Sequence, residues 1–335
     1  MTIDLVPVWT LILALAVFMY VLLDGFDLGV GILFPFAPDD ESRNLMMDSV
    51  APIWDGNETW LVLGGIGLFA AFPLAFAIII PACYFPILLM LLGLIFRGVA
   101  FEFRMKAHRR RFLWDQAFFW GSLVATYAQG VMLGSFVRGF EVQGRQFAGS
   151  VFDWAQPFPL AVGAGLVCGY VLLGATWLVL KTEGELQRWA VARARFGLFG
   201  VIVFLVALSA WTPFLEPRIA ARWFSWPNMV WLAPVPLAAA AIAVWLWRSL
   251  SRGHEGAPFI AAMGLFLVGY VGLAISIWPN IVPHTISLWD AASSSKSQVF
   301  LLVGSMFLLP IIVMYTGWSY YVFRGKVRSG AGYHH

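Results

Sequence analysis

An all-α integral membrane protein is the fold class this sequence predicts, and three observations predict it. Apolar residues fill 61% of the 335 positions, mean hydropathy is +0.81, and only 12% of residues are charged; a soluble domain carries about 25% charge. Runs of roughly 20 apolar residues, the length a helix needs to cross the hydrocarbon core, recur from end to end. The runs are continuously apolar rather than alternating, which excludes a β-barrel, and helices alone satisfy the backbone of such runs in lipid.

The chain reads as a single membrane domain, 1–335, of about nine transmembrane helices. Their expected bounds are 7–36, 52–72, 75–101, 114–138, 158–180, 196–214, 228–247, 258–279 and 298–323. Helices 1–4 (7–138) and 5–8 (158–279) are expected to form two four-helix bundles, with helix 9 (298–323) added. Tyr20-Val21-Leu22-Leu23 in helix 1 is echoed by Tyr170-Val171-Leu172-Leu173 in helix 5, an echo too short to carry weight by itself. Met1–Asp4 lacks a basic segment and the first apolar run continues past any cleavage point, so no cleavable signal peptide is expected.

Orientation follows from lysine and arginine placement. The loops after helices 1, 3, 5 and 7, with the C-terminal tail, hold fifteen of them, among them Arg109-Arg110-Arg111; the opposite loops hold five. The N-terminus is therefore expected on the periplasmic side and the C-terminus in the cytoplasm. Net charge is +3, but no basic face of the kind nucleic acid requires is present, so no nucleic-acid partner is expected. Cys83 and Cys168 lie inside apolar runs and read as small buried hydrophobes rather than a disulfide or metal pair.

A charge inside the membrane costs roughly 2.5–3.5 kcal/mol on insertion scales, so each one asks for a reason. Helix 1 contains Asp24-Gly25-Phe26-Asp27-Leu28-Gly29-Val30-Gly31. Asp24 and Asp27, three apart, share a helix face, and the glycines let a neighbouring helix approach closely. At ~1.5 Å per residue, Asp24 lies about 18 Å from the helix end near Phe36, close to mid-membrane. Helix 2 opens Trp54-Asp55-Gly56-Asn57-Glu58-Thr59-Trp60, with Asp55 and Glu58 again three apart and Asn57 and Thr59 adding hydrogen-bonding capacity. Arg97 in helix 3 is a natural partner for one of these carboxylates. The four acids therefore read either as a proton path or as a network fastening helices 1 to 3 together.

None of the five histidines, His108, His254, His284, His334 and His335, falls inside an expected span. Haem iron commonly takes His, Met or Cys, and a membrane methionine is more often packing than ligand. This chain is therefore expected to ligate no haem alone, and no metal site and no catalytic residue of its own are read in it. The Trp278–Lys296 stretch reads as an interfacial turn, with Trp278 and Trp289 in the aromatic belt and Asp290 and Ser293–Ser295 near a helix start. No nucleotide-binding glycine loop, zinc-ligand spacing or nucleophile-base pair is present.

The segments Asp24–Gly31 and Ala51–Trp60 resemble the two signature stretches of subunit II of the cytochrome bd quinol oxidases. Phe96–Arg104 resembles that family's third-helix end, and Trp289–Ser294 its outer segment before helix 9. The compact length and Glu58, where other members have Gln, resemble the cyanide-insensitive branch. The resemblance implies a subunit of a complex that oxidises quinol and reduces dioxygen to water in the bacterial inner membrane. It implies a haem-bearing subunit I as partner, holding haem b and haem d and the quinol site. It further implies that subunit II delivers protons, with Asp24 and Asp55 matching proton-path acids, and admits oxygen, with Trp60 matching a tryptophan near the oxygen route. A structural quinone or lipid on this chain, and a small single-helix third subunit, are compatible with it. The competing readings are an ion-coupled secondary transporter using Asp24, Asp27, Asp55 and Glu58, and a purely structural membrane subunit.

From the histidine inventory, the chain expressed without partners is expected to bind no stoichiometric haem. Reduced-minus-oxidised spectra of the purified, folded chain check this, and a full haem spectrum would contradict it.

Overall fold

A computed structural model describes residues 4–107 and 109–328. The first helix, α1 (Val6–Leu33), ends in a 3-10 turn (Phe34–Phe36). A short polar helix follows, α2 (Asp40–Val50), which hydropathy alone does not mark. Asp39 caps it by accepting from the Ser42 backbone N–H at 2.7 Å, and these bonds hold the Asp39 carboxyl below its ordinary range. Helix α3 (Trp54–Ala71) begins only after the turn at Ala51–Ile53. The expected span 75–101 is two helices, α4 (Pro73–Ala82) and α5 (Tyr84–Lys106), separated at Cys83. Pro81 and Pro86 flank this break and cannot donate to the helix ladder.

Helix α6 (Arg111–Arg138) leads into a hairpin, β1 (Val142–Gln143) with β2 (Gln146–Phe147). Then come α7 (Pro157–Lys181) and α8 (Gly184–Leu215), the latter starting twelve residues before the expected 196. Its first turns carry Arg188, Arg193 and Arg195 and so lack the apolar signal on which the expectation rested. Next are the short α9 (Pro217–Phe224) and α10 (Asn228–Leu232), then α11 (Pro234–Ser251) and α12 (Ala257–Ile277). A second hairpin, β3 (Asn280–Val282) with β4 (Ile286–Ser287), precedes a helical turn, α13 (Leu288–Ala291), and the last helix, α14 (Ser295–Val322). Ser287 caps α13 and Ser294 caps α14, so the expected helix start near Ser293–Ser295 holds.

Among the described residues, seven segments are long and apolar enough to cross a membrane: α1 with its 3-10 turn, α5, α7, α8, α10 with α11, α12 and α14. Helices α3 and α6 are more polar, carrying Asp55, Asn57 and Glu58 in one and Ser122, Thr126 and Gln129 in the other. Helix α6 buries much of its length, whereas α3 buries Asn57, Trp60, Gly64 and Ala71 on one side and leaves Val62, Ile66 and Phe69 exposed on the other. Helix α1 lies between α3, α6 and α7, while α5 lines α6, α8 and α12 line α7, and α11 lines α12. The main core, with Phe26, Leu28, Phe118, Tyr170 and Trp177, gathers around α1, α6 and α7. A second core under the two hairpins holds Trp9, Phe72, Ile78 and Val282.

The α1–α7 crossing depends on glycine. A Cβ at Gly29 would run into the Tyr170 carbonyl and lie 2.9 Å from the Gly174 nitrogen, and a Cβ at Gly174 would meet the backbone of Gly29 and Val30. Backbones this close are the usual small-residue contact of membrane helices. Gly29→Val is therefore expected to cost about 1–3 kcal/mol or more and to prevent accumulation of folded protein. Gly65→Ala, with nothing within 4 Å of its added Cβ, should be silent. Membrane yield and thermal unfolding of the two variants check this.

The tail is strapped to α7. Lys181 donates to the Phe323 carbonyl and, at 2.6 Å, to that of Gly325; Lys326 donates to Thr182 at 2.9 Å and pairs with Glu255 at 3.1 Å. Gln187 donates to Glu255 at 2.9 Å. These bonds, Gln187 first and then Lys326, hold the Glu255 carboxyl below the usual carboxylate range. Its contribution is full above the unfolded value near 4.5 and is lost as the pH falls through the lower folded value. Amide protection factors of residues 323–327, taken relative to the intrinsic exchange rate at each pH, should fall as the pH is lowered from 4.5, and Glu255→Gln should abolish that dependence.

Candidate functional site: a buried acid cluster on α1, α3 and α5

Three helices place their charged residues at one point. The third-residue spacing on α1 turns Asp24 and Asp27 to one side, where the first turns of α3 and the middle of α5 meet them. Arg97 of α5 is wholly enclosed. Its Nη2 donates to Asp24 Oδ1 at 2.5 Å and to Glu58 Oε2 at 3.3 Å. The guanidinium also lies over the Trp54 ring, 5.3 Å from its centroid, and Trp54 stacks on Phe101 at 4.9 Å and 10°. The expected partnership of Arg97 with one acid thus becomes a partnership with two.

Asp27 is held by a neutral group. Asn57 Nδ2 donates to Asp27 Oδ2 at 2.7 Å and to the Leu23 carbonyl at 3.3 Å. Asn57 Oδ1 accepts from the Tyr320 hydroxyl at 2.8 Å. Asp24, Asp27 and Arg97 have no exposure, and the Glu58 side chain is 29% exposed. Two carboxyl groups therefore pair with one guanidinium, and a third, Asp27, lies beside them on the same face of α1 without an ion pair to it. Among the described residues, Asp24 Oδ2, Asp27 Oδ1 and Arg97 Nε and Nη1 have no hydrogen-bond partner.

Asp55 stands outside this group. It begins the same helix, yet it is exposed and makes no ion pair among the described residues; its backbone carbonyl accepts from the Thr59 hydroxyl at 3.0 Å. Trp60 is buried against Ala16 and Tyr20 of α1, with its indole N–H unpartnered among the described residues.

The tyrosines of the repeated Tyr-Val-Leu-Leu segments meet. Gln129 of α6 donates to the Tyr20 hydroxyl at 2.8 Å and accepts from the Tyr170 hydroxyl at 2.8 Å. Tyr20 lies one turn from Asp24 on the same helix, so this amide bridge borders the acid cluster. Sequence reasoning missed Gln129 and Tyr320. The Tyr-Val-Leu-Leu echo is the one sequence signal of the tyrosine bridge, and nothing in the sequence distinguishes Tyr320 from its neighbour Tyr321.

A further buried cation lies at the far end of α5. Arg104 donates to Asp115 at 2.5 Å and to Asn44 at 2.9 Å, and sits over the Phe34 ring. Arg111 also donates to Asn44. Burial pushes the nearby Asp48 carboxyl up, against the pull of Arg104. Of the histidines, His254 is in an exposed turn and His284 in the β3–β4 turn beside the Val137 carbonyl at 3.1 Å; neither is on a helix, and neither fits an axial haem ligand within the bundle. His108, His334 and His335 lie outside the described residues. No group of three or more metal-ligating residues occurs among the described residues.

The profile of the family described as cytochrome bd terminal oxidase subunit II matches residues 5–323. "Cytochrome bd-I ubiquinol oxidase subunit 2" of Escherichia coli (strain K12) is 28% identical over 361 residues, covering 96% of this chain and 94% of that one. "Cytochrome bd ubiquinol oxidase subunit 2" of Bacillus subtilis (strain 168) is 28% identical over 333 residues, covering 95% and 96%. The solved bd oxidase from Geobacillus thermodenitrificans shares the fold, with a TM-score of 0.79 over 96% of this chain and 98% of that chain at 11% identity. With nearly the whole length matched in sequence and in fold, this chain belongs to the cytochrome bd terminal oxidase subunit II family.

Proposed function

We propose that the chain handles protons for dioxygen reduction at a site held by its partner subunit. The chain is part of a quinol:oxygen oxidoreductase complex, and it is a multi-pass protein of the bacterial inner membrane. The single observation that carries the proton reading is three neighbouring carboxyl groups with one buried guanidinium between them to balance their charge, Asp24 and Glu58 paired with it and Asp27 bonded only to neutral Asn57. A cluster meant only to fasten helices is best served by matched charges, since an unpaired buried charge is costly. A surplus of carboxyls gives places where protons are taken up and released.

The exposure of the acids is graded, which supports a direction. Asp55 is open, Glu58 is partly covered and Asp24 and Asp27 are enclosed. In this reading Asp55 and Glu58 receive the proton, Arg97 steadies the carboxylates in turn, and Asp24 and Asp27 are the inner stations. Trp60, in the apolar packing beside Tyr20, would border an oxygen route.

The remaining proposals follow the same reading. Haem b and haem d, with the quinol site, belong to the haem-bearing subunit I. That partner docks on the flank bearing helices α1, α3 and α5, because Asp55 and Glu58 facing acyl chains would be costly. The N-terminus is periplasmic and the C-terminus cytoplasmic, as the positive-inside distribution argues. Nine spans arise when α3 and α6 are counted with the seven apolar segments, and they divide into two four-helix bundles plus α14. A structural quinone or lipid and a small single-helix subunit belong to the same picture.

Asp24→Asn keeps shape and hydrogen bonding but removes the exchangeable acid. It is expected to slow quinol-driven oxygen consumption ~10-fold or more, with haem content and assembly near normal. Asp55→Asn should slow it less, being the open end of the series. Oxygen-electrode rates on purified complex, normalised to haem, measure both. Normal turnover in both assembled variants would leave the acids as helix fasteners.

A further inference from the structure

We propose that Tyr320, reaching in from the last helix, is a positioning residue that acts through Asn57 to fix which oxygen of Asp27 carries the proton. The inference rests on the proton-handling reading of the acid cluster and adds a residue that reading does not require. Helix α14 is otherwise peripheral: among its residues only Gln298 is buried, and most of its large apolar side chains face outward. Tyr320 is where this helix reaches the acids.

The polarity of the chain is determined by its two ends. The Leu23 carbonyl can only accept, so the Asn57 amide nitrogen must face it, and the same nitrogen then faces Asp27 Oδ2 at 2.7 Å. Asn57 Oδ1 is left to accept, and the Tyr320 hydroxyl supplies the proton at 2.8 Å. A flipped amide would set its oxygen against two acceptors and its nitrogen against the phenol. Asp27 Oδ2 therefore always meets a donor. Oδ1, which has no partner among the described residues, is the oxygen at which a proton binds and from which it leaves. Without the phenol, Asn57 loses the partner that holds its oxygen, and the donor to Asp27 is less well directed.

Packing holds the Tyr320 ring independently of its hydroxyl. The ring meets Phe26 edge-on at 6.4 Å and Trp177 at 6.3 Å, and Phe26 and Trp177 stack on each other at 4.3 Å. The Lys181 ammonium lies 5.3 Å over Trp177 and also binds the carbonyls that end α14. Phenylalanine at 320 thus keeps the ring seated and removes one oxygen.

The test uses the complete membrane complex carrying Tyr320→Phe, Asp27→Asn, the double variant, and Tyr321→Phe as a control on the exposed neighbouring ring. Tyr320→Phe is expected to lower quinol-driven oxygen consumption roughly three- to tenfold, the scale of one hydrogen bond. It should also displace the pH profile of turnover and enlarge the solvent deuterium isotope effect, with haem content and thermal unfolding unchanged. In the Asp27→Asn background the same change should add nothing, because its effect passes through Asp27. Three outcomes overturn the proposal: wild-type rate and pH profile in Tyr320→Phe while Asp27→Asn is slow; full additivity in the double variant; or turnover falling only in step with haem content. Wild-type turnover in Asp27→Asn would overturn the proton-handling reading of that acid and this inference with it.

Discussion

Everything near the middle of this molecule is arranged around one enclosed guanidinium. Arg97 has no contact with solvent, so its charge must be answered inside the protein, and Asp24 answers it at 2.5 Å. Leaving such a buried charge wholly without a partner typically costs about 3–5 kcal/mol, but Glu58 at 3.3 Å still answers Arg97 when Asp24 alone is neutralised. The pair ties α1 to α5, and Glu58 brings the start of α3 to the same point. Trp54, stacked on Phe101, then lies against the face of the cation. The position of three helices is thus set by electrostatics before apolar packing is considered.

Apolar packing supplies the close approach that this electrostatic centre needs. Helix α1 carries acids on one side and glycines against α7, so it is the element that both binds charge and lets backbones touch. Between α5 and α6 the same device recurs at Gly93 and Gly121, each of whose added Cβ would lie 2.6 Å from the other's carbonyl oxygen. In lipid the side chains gain little by leaving one hydrocarbon surface for another, so close van der Waals contact and buried hydrogen bonds must hold the helices together. The Tyr20–Gln129–Tyr170 bridge is such a bond pair, spanning α1, α6 and α7. It gives the two Tyr-Val-Leu-Leu segments a common physical role.

The rim of the molecule follows other rules. Helices α8, α11 and α14 turn most of their large apolar side chains outward, as suits lipid and a partner subunit. At one end the two hairpins and α13 cover an apolar core with hydrogen-bonded backbone. At the other, Lys181 and Lys326 strap the tail to α7 through the C-cap carbonyls of Phe323 and Thr182 and the Gly325 carbonyl beyond α14. The last helix is thereby held at its end and at Tyr320, although it buries little along its length.

Much of this was legible in the residues themselves. Continuous apolar runs prescribe helices because lipid offers the backbone no other partner, and Asp24, Asp27, Glu58 and Arg97 announced themselves because charges are rare where burial is expensive. The order of helices and the grouping of these charged residues therefore followed from composition and spacing. Local polarity hid other features: α2 and the first turns of α8 are helical but too hydrophilic to register, and a pair of prolines divided one expected span into α4 and α5. The tertiary structure alone decided that Asp55, equal to Glu58 on paper, faces away from Arg97, and that Tyr320 meets Asn57 across 263 positions. A helix face is a matter of local period, which the sequence by itself determines. Which neighbour occupies that face depends on how glycines and enclosed charges let distant helices approach, and that is determined only when the whole chain has packed.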